Sequence, residues 1–296
     1  MRDLWFLGLY ATDYLYYVGE LPRPEESVMA RDFLMADGGK ASNQAACAAL
    51  LGASAELVTY LSDGPEGRTV GERLGAMGVG LSHTVRGEAA QACSAIVIDG
   101  AGNQTITTAM NGAADISREN VRRLLENAKP GAILSLQGEL SELTYRAARE
   151  VWAGTVVVNP SPLGMFLGTD LLDGVDWVVA NQIEAEELTV SAAPTAKKLA
   201  QATGARAALV TGSDVVRSWT SADGEREYAV HRVPAVDTTG AGDAFTGGFL
   251  SALAEGLPID ACVERAMRVS RFSVQRRGCV PSYPGAEQVG IVRQAG

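Results

Sequence analysis

Residues 237–245 read Asp-Thr-Thr-Gly-Ala-Gly-Asp-Ala-Phe, a run of small residues that leads directly into an apolar segment at 244–254. The pattern predicts a turn followed by a helix, whose first N–H groups have no partner inside the helix. Together with the helix dipole, such groups form an anion site. Gly240 and Gly242 leave no side chain in the way of a phosphate, so this stretch predicts a phosphate-binding turn in an α/β protein.

Asp243 is the unusual member of this run, because a carboxylate beside an anion site is repulsive. Its presence makes chemical sense if Asp243 takes a proton from a hydroxyl while the N–H groups hold the phosphoryl group under attack. A purely structural interpretation stays open at this point. Asp is a common helix-capping residue, and Gly-Ala-Gly turns precede many helices.

Length and charge restrict the possible classes of protein. A chain of 296 residues suits one large α/β domain with an excursion, or two modest domains. The net charge of −10 argues against nucleic acid or an anionic membrane as the main partner, since both favour a basic surface. An acidic protein that binds a nucleotide needs local positive potential, from Lys40, helix N-termini or a cation.

Cysteine and histidine usage restricts the metal chemistry. The four cysteines are scattered without a C-x-x-C pair, which argues against a zinc ribbon and favours reduced thiols in a cytoplasmic protein. With two histidines in the chain, a His-rich metal site is excluded. The apolar run at residues 4–11 is too short for a membrane span and predicts a buried first strand.

Short apolar runs alternate with Ala- and Leu-rich segments of helical spacing, which predicts a mainly parallel sheet covered by helices on both faces. The predicted strands lie at 5–10, 56–61, 132–136, 155–159, 177–180 and 207–211. The predicted helices lie at 43–51, 69–77, 118–127, 141–152, 185–188 and 196–203. Ligands of such sheets bind beyond the carboxyl ends of the strands.

Two strand pairs interrupt this alternation. Residues 14–19 pair with 28–36, and residues 93–99 pair with 104–110 through the hairpin-forming stretch 100–103. We interpret these four strands as a small sheet that stands off the main one. The alternative is an edge hairpin of the main sheet. A further antiparallel pair is predicted at 215–221 and 227–233.

A second glycine segment, residues 38–46, reads Gly-Gly-Lys-Ala-Ser-Asn-Gln-Ala-Ala. Two glycines permit close backbone approach, and a helix is predicted to begin near Ser42. Lys40 and Asn43 offer donors that suit a polyhydroxy compound. The segment lacks the Walker A pattern, and the chain has no G-x-G-x-x-G fingerprint. A plain glycine loop that caps a helix remains an alternative.

With both glycine segments in view, the chain resembles the ribokinase-like (PfkB) family of carbohydrate kinases, and within it the ribokinases. Residues 38–46 resemble the amino-terminal signature and residues 237–249 the carboxy-terminal one. The resemblance implies a single three-layer α/β domain over residues 1–296 with a mainly parallel central sheet. It also implies a small β-sheet lid formed by about 13–36 and 93–110.

The resemblance further implies roles for individual residues. Asp243 matches the catalytic base, and the backbone of Gly240, Ala241 and Gly242 matches the hole for the transferred phosphoryl group. The residues that match sugar contacts, besides Asp243, are Asp13, Gly39, Lys40, Asn43 and Glu139. The residues that match the ATP site are Asn181, Glu184, Thr211, Gly212 and Gly242, with Glu184 acting on Mg²⁺ through water. The residues that align with a potassium site are Asp237, Thr239, Ser273, Arg276, Gly278 and Ser282.

The implied activity is transfer of the γ-phosphate of ATP to a sugar hydroxyl, with Mg²⁺ and with K⁺ as activator. D-ribose is the expected acceptor and a homodimer through the lid the expected assembly. Two departures from the family pattern put ribose in doubt. Ala11 stands where Asn is usual, and Gly138 or Glu139 occupies the position of a sugar-contacting Glu, for which we favour Glu139. A ketohexose, deoxyribose, a sugar acid or pseudouridine is the alternative substrate, and a non-catalytic sugar- or nucleotide-binding regulator the alternative function.

Overall fold

The computed structural model describes residues 1–291, with side chains except at positions 114 and 115. Within these residues the chain forms fifteen strands and eight α-helices. The strands are β1 Leu4–Leu7, β2 Ala11–Tyr17, β3 Asp32–Gly38, β4 Ala55–Val58, β5 Tyr60–Ser62, β6 Val79–Gly80, β7 Val85–Gly87, β8 Cys93–Ile98, β9 Gln104–Ala109, β10 Ile133–Gln137, β11 Thr155–Asn159, β12 Trp177–Asn181, β13 Ala207–Thr211, β14 Val215–Thr220 and β15 Gly224–Ala229. The helices are α1 Lys40–Leu50, α2 Pro65–Ala76, α3 Arg118–Leu125, α4 Glu142–Val151, α5 Gln182–Thr189, α6 Ala196–Thr203, α7 Ala241–Glu255 and α8 Ile259–Ser273.

Nine strands form the main sheet, in the order β15-β14-β13-β12-β11-β10-β1-β4-β6. The strands from β13 to β6 in this order pair in parallel, while β14 and β15 pair antiparallel at one edge. The prediction of a mainly parallel α/β sheet is therefore confirmed. The third predicted strand pair corresponds to β14 and β15, which extend the main sheet.

Two hydrophobic cores lie on opposite faces of this sheet and make it the middle of three layers. Strand β1 shows the alternation directly, because Leu4 and Phe6 belong to one core while Trp5 and Leu7 belong to the other. The first core includes apolar residues of α1, α2, α7 and α8, and the second includes those of α3, α4, α5 and α6. The predicted three-layer arrangement is confirmed.

Four strands form a separate sheet in the order β3-β2-β8-β9. Strand β2 pairs antiparallel with β3 and parallel with β8, and β8 pairs antiparallel with β9. The edge-hairpin alternative is therefore wrong, since none of these four strands pairs with the main sheet. The chain enters this small sheet directly after β1.

Several boundaries differ from the sequence-based expectation for physical reasons. Strand β1 ends at Leu7, because a Cβ at Gly8 would lie 2.6 Å from both the Ala41 Cβ and the Gln137 Oε1. The predicted strand at 56–61 divides into β4 and β5, which belong to different sheets. Helix α8 was not among the predicted helices. None of the helices formed by residues 1–291 combines the length and apolarity needed to cross a bilayer.

Candidate active site

Helix α7 begins at Ala241, three residues earlier than predicted, because Gly240 serves as its N-cap. Gly240 has φ of +74° and Asp243 falls in the first helical turn. A left-handed backbone favours glycine, which carries no Cβ penalty there. The turn borders a cavity of about 210 Å³ that is also lined by Lys40, Glu184 and Asp243. Asp243 therefore lies at the N-terminus of a helix and lines a polar cavity.

The Asp243 carboxylate is buried and held by two amide groups. Asn43 Nδ2 donates to Oδ2 at 3.0 Å, and Gln44 Nε2 donates to Oδ1 at 3.0 Å. Burial raises the pKa of Asp243, while Lys40 and the hydrogen bonds from Asn43 and Gln44 act in the opposite direction. The carboxyl is thus more basic than an exposed Asp, and its neighbours favour the ionised form that can accept a proton.

The turn before Asp243 is closed by the chain itself. Ala241 N–H donates to the Thr238 carbonyl oxygen at 3.2 Å, so this predicted anion donor already has a partner inside the turn. The Gly242 and Asp243 N–H groups belong to the first helical turn, where an N–H lacks an intrahelical acceptor. Gly240 also needs to be small: a Cβ there would lie 2.1 Å from Cys279 Sγ.

A second helix start, that of α1, brings Lys40 to the same cavity, and hydrogen bonds connect Asn43 to Asp243 and Glu139 to Lys40. Gly39, the N-cap of α1, has φ of +87°, and a Cβ there would lie 2.3 Å from the Leu9 carbonyl oxygen. Lys40 N–H donates to Glu139 Oε2 at 2.9 Å. Glu139 therefore lies at the start of α1, next to Lys40. Gly138 instead packs against backbone, since its Cβ would lie 2.0 Å from the Pro162 carbonyl oxygen.

Lys40 is the cation at the centre of three acidic groups. Burial alone would lower the pKa of Lys40, but Asp243, Glu139 and Glu184 raise it overall. Burial raises the pKa of Glu139 to about 8, although Lys40 opposes that shift. The Lys40 ammonium group thus interacts with several carboxyl groups. It stays protonated and offers positive charge to a phosphate.

Asp13 lies inside β2, in the small sheet. It remains next to the α1 start, because a Cβ at Gly38 would lie 2.2 Å from Asp13 Oδ2. Burial raises the pKa of Asp13 to about 6, while a hydrogen bond with Ser94 and the charge of Lys40 lower it. Asp13 therefore contributes a carboxyl from the small sheet to the group formed by Lys40 and Glu139.

Four of the five predicted nucleotide residues, all but Glu184, line a groove of about 810 Å³ that adjoins the polar cavity through Thr211 and Asn181. Asn181 caps α5: its Oδ1 accepts from Glu184 N–H at 2.9 Å, and Glu184 Oε2 accepts from Asn181 N–H at 2.8 Å. Gly212 follows β13 in the same groove. The apolar lining suits a flat heterocycle and comes from Val216, Val230, Val233, Phe245, Met267 and Val274.

The donors at this cavity fit Mg²⁺, the divalent ion that the family resemblance implies. Mg²⁺ keeps several waters and binds through one or two carboxylates together with substrate phosphates. Glu184 lines the cavity, and burial raises the pKa of its carboxyl despite hydrogen bonds from Asn181 and Ser161. Within residues 1–291 no group of three or more His, Cys, Asp or Glu side chains is arranged to hold a metal.

The predicted potassium residues lie on two loops that Asp237 joins. Its Oδ1 accepts from Thr239 N–H and its Oδ2 from Gly278 N–H, both at 2.9 Å. The chain after Ser273 is held to the same loop, because the Val274 carbonyl oxygen accepts from Asp237 N–H at 3.2 Å. Carboxylate and carbonyl oxygens are suitable ligands for a hard cation.

The side chains of two of the predicted potassium residues already interact with other groups. The Arg276 guanidinium lies 3.5 Å from the centre of the Phe272 ring, so Arg276 can offer a cation its carbonyl group alone. Ser282 Oγ donates to the Cys279 carbonyl oxygen at 2.6 Å, which fixes the loop next to Gly240.

Sequence reasoning missed a buried set of polar groups beneath Asp243. Gln44 Oε1 accepts from Ser135 Oγ at 3.1 Å and from Gln137 Nε2 at 2.9 Å, and Gln44 Nε2 also donates to Asn159 Oδ1 at 3.2 Å. The available signal was the presence of polar residues in otherwise apolar strands. Ser135 and Gln137 interrupt β10, a strand that is buried along its whole length.

The comparisons with known proteins agree with this geometry. Deoxyribokinase of Salmonella typhimurium is 27% identical over 296 residues, which cover 97% of both chains. Ribokinase of Bacillus subtilis is 27% identical over 301 residues and 98% of both chains. The structure of Arabidopsis thaliana ribokinase complexed with ribose and ATP has a TM-score of 0.79, is 25% identical and covers 98% of both chains. The fold is therefore the ribokinase-like one.

A model of the family described as pfkB family carbohydrate kinase matches residues 1–286. This match spans both glycine segments and every predicted site residue. The chain therefore belongs to the pfkB family of carbohydrate kinases, which are phosphotransferases with an alcohol group as acceptor.

Proposed function

We propose that this sugar kinase transfers the γ-phosphate of ATP to a primary sugar hydroxyl, with D-ribose as the first candidate and ribose 5-phosphate as its product. The observation that carries the proposal is the position of Asp243. A buried carboxylate lies in the first turn of α7, on a cavity that adjoins a groove suited to a nucleotide. An acceptor hydroxyl at this point reaches both a base and a phosphoryl group.

The chain's own groups then divide the work of the reaction. Asp243 accepts the hydroxyl proton, and amides at the start of α7 hold the oxygens of the migrating phosphoryl group. Lys40 supplies positive charge between sugar and phosphates, and Glu184 would hold a hydrated Mg²⁺ that would supply positive charge to the nucleotide. Phosphoryl transfer of this kind relies on positioning and charge stabilisation, which a fixed set of donors provides.

The choice of acceptor sugar depends on the protein groups that can hydrogen-bond to its hydroxyls. Asp13, Lys40 and Glu139 supply hydrogen-bonding groups on the sugar side. Asn43 Oδ1 is buried and has no partner among the described residues, which leaves it available to a hydroxyl. Ala11 is buried and cannot hydrogen-bond through its side chain. A pentose with one hydroxyl fewer, such as 2-deoxyribose, is therefore the principal alternative to ribose.

A substrate panel tests this proposal. We expect one pentose, ribose or 2-deoxyribose, to give the highest kcat/KM with MgATP among pentoses, ketohexoses, sugar acids and pseudouridine. A missing hydrogen bond to a buried partner typically costs tenfold or more in kcat/KM. Coupled ADP release and phosphomonoester detection provide two readouts. A higher kcat/KM for a ketohexose, a sugar acid or pseudouridine would overturn the pentose assignment.

We also propose that K⁺ binds where Asp237 joins its two loops and supports the turn before α7. Backbone oxygens near Ser273 and Gly278 complete an oxygen-rich environment. At constant ionic strength, we expect kcat to fall several-fold when KCl is replaced by choline chloride, and the Asp237→Ala variant to lose this dependence. Equal rates of the wild-type enzyme in the two salts would contradict the site.

The small sheet is proposed to act as a lid and as the contact in a homodimer. The end of β3 is fixed to α2, because Asp37 Oδ1 accepts from Arg73 Nη2 at 2.5 Å. It also accepts from Tyr10 Oη at 2.7 Å. Farther out, the apolar side chains of Phe33 and Met35, which lie on the same face of this sheet, are each at least half exposed. An exposed apolar patch of this kind is typical of an interaction surface.

Sedimentation analysis tests the dimer. We expect a dimer at micromolar concentration and a monomer for the Phe33→Asp variant, because a buried unpaired charge opposes association. The matched control is Leu143→Asp, which places the same charge at an exposed apolar position on α4. A monomeric wild-type protein, or equal dissociation of both variants, would refute the proposed interface.

The remaining expectations concern location and partners. Four free cysteines at 47, 93, 262 and 279 support the proposed cytoplasmic location, because a reducing compartment keeps thiols unpaired. The proposed small-molecule partners are the sugar and ATP, and the net charge of −10 supports excluding nucleic acid and membrane surfaces. Equal amounts of the protein in membrane and soluble fractions of its cells would contradict this assignment.

A further inference from the structure

Gln44 is a fully buried amide whose hydrogen-bonding capacity is completely used. Its Nε2 donates to Asp243 Oδ1 at 3.0 Å and to Asn159 Oδ1 at 3.2 Å. Its Oε1 accepts from Ser135 Oγ and Gln137 Nε2. A primary amide offers two N–H donors and two lone pairs, so all four positions are occupied.

The partners of Gln44 fix which end of its amide faces the carboxylate. The Asp243 carboxylate requires an N–H donor at one end of the amide, and Gln137 Nε2 and Ser135 Oγ donate to the oxygen at the other end. A flipped amide would place its oxygen next to the Asp243 carboxylate, where it would repel the charge. Ser135 and Gln137, which both lie on β10, thereby hold the Gln44 side chain with its NH₂ group toward Asp243.

Gln44 has no direct route to the substrates. It is 0% exposed and is absent from the residues that line the polar cavity and the nucleotide groove. Asn43, by contrast, keeps a buried oxygen without a partner among the described residues. Both amides are absent from the two linings, so they differ in their free hydrogen-bonding capacity: Asn43 keeps an oxygen that can accept from a hydroxyl, whereas Gln44 has none left and acts through Asp243.

We propose that Gln44 is a positioning residue for phosphoryl transfer: its NH₂ group, oriented by Ser135 and Gln137, holds Asp243 ionised and aimed at the acceptor hydroxyl. This inference rests on the proposed role of Asp243 as base. Gln44 thereby joins the carboxyl ends of β10 and β11 to the first turn of α7, so the sugar side and the phosphate side of the cavity share one hydrogen-bonded support.

The direction of the effect follows from the groups around Asp243. Burial raises the pKa of Asp243, while Lys40, Asn43 and Gln44 lower it. The other titratable groups that interact with Asp243 from neighbouring elements are Glu139, Glu184, Cys47, Cys279 and Tyr283. Removing the Gln44 donor removes one of the interactions that stabilise the ionised carboxylate. The pKa of Asp243 therefore rises, and the base stays protonated up to a higher pH.

The test is Gln44→Met, which keeps the side-chain length and removes both donor and acceptor. We expect the acidic limb of the kcat–pH profile to move up by about one pH unit, the size of one charge-assisted hydrogen bond. Below the midpoint of this limb kcat is expected to fall by up to about tenfold, and to recover as the pH rises. The KM for sugar changes less than about threefold, because Gln44 does not touch the sugar.

The matched control is Leu51→Ala, a core truncation directly after the same helix that leaves Asp243 and its amides in place. It is expected to lower the melting temperature without moving the pH profile. Should Gln44→Met fail to fold, Ser135→Ala releases one side of the Gln44 oxygen and is expected to shift the limb in the same direction by a smaller amount. An unmoved limb in the folded variant, or in Ser135→Ala when it replaces that variant, would overturn the inference.

The outcome is separable from the proposed function itself. If Asp243→Asn stays active, the base assignment fails whatever the Gln44 variants do. If Asp243→Asn is inactive while Gln44→Met keeps the wild-type pH profile, only the positioning role of Gln44 fails.

Discussion

Replacing Asp243 with Asn is expected to lower kcat by about 10²- to 10⁴-fold, the usual contribution of a general base. The change removes the proton acceptor and keeps the shape of the side chain. One of the two neighbouring amides, Asn43 or Gln44, can still donate to the single amide oxygen at this position, while the other meets the new NH₂ group. We therefore expect sugar and ATP to bind within about tenfold of wild-type affinity, as calorimetric titration would measure.

The control for this variant is Asp260→Asn, which makes the same chemical change in the first turn of α8. Asp260 accepts from Tyr228 Oη at 2.7 Å on the protein surface, away from the cavity. Its variant is expected to keep wild-type kcat. An Asp243→Asn enzyme as active as that control would show that Asp243 is not the base. Binding without turnover by the wild-type chain would instead favour a regulator.

The second large effect is expected from Gly240→Ala. The new methyl group would lie 2.1 Å from Cys279 Sγ and 2.8 Å from Tyr283 Oη, two buried groups that already bond to each other at 2.9 Å. The turn has to shift, and it carries the anion-binding amides with it. We expect kcat/KM to fall by about 10²- to 10³-fold, as when a donor to a developing anion is lost.

Gly256→Ala separates this steric effect from backbone strain. Gly256 has φ of +78° at the other end of the same helix, yet a Cβ there meets nothing within 4 Å. Both variants incur the left-handed backbone cost of about 1–2 kcal/mol, measurable in urea unfolding. Activity is expected to fall in Gly240→Ala alone. Equal kcat/KM in the two variants would mean that the Gly240 turn does not set the phosphoryl position.

Local patterns were sufficient to predict the fold class. Alternating strands and helices indicated the parallel sheet. The two strand pairs that interrupt this alternation indicated the small sheet. Boundaries were less predictable, because they depend on distant contacts. β1 ends at Leu7 since Gly8 lies against Ala41 and Gln137, which no local pattern reveals.

The candidate site likewise contains residues that local patterns predicted and one that they did not. Asp243, Gly240 and Lys40 were found because small residues and a charge stand together in the chain. Gln44 was missed, because its partners Ser135, Asn159 and Asp243 lie 91, 115 and 199 residues away. A buried amide shows its role only when the strands that satisfy it are in place. The roles of the matched residues remain predictions.

The most direct test of the central claim is a crystal structure of the Asp243→Asn variant with ATP, Mg²⁺ and the best sugar of the panel. The account predicts the acceptor hydroxyl within about 3 Å of the side-chain oxygen at position 243, a normal hydrogen-bond distance. It also predicts the γ-phosphate at the first turn of α7, in line with that hydroxyl. A hydroxyl beyond hydrogen-bond reach of residue 243, or a γ-phosphate bound away from Gly242, would contradict it.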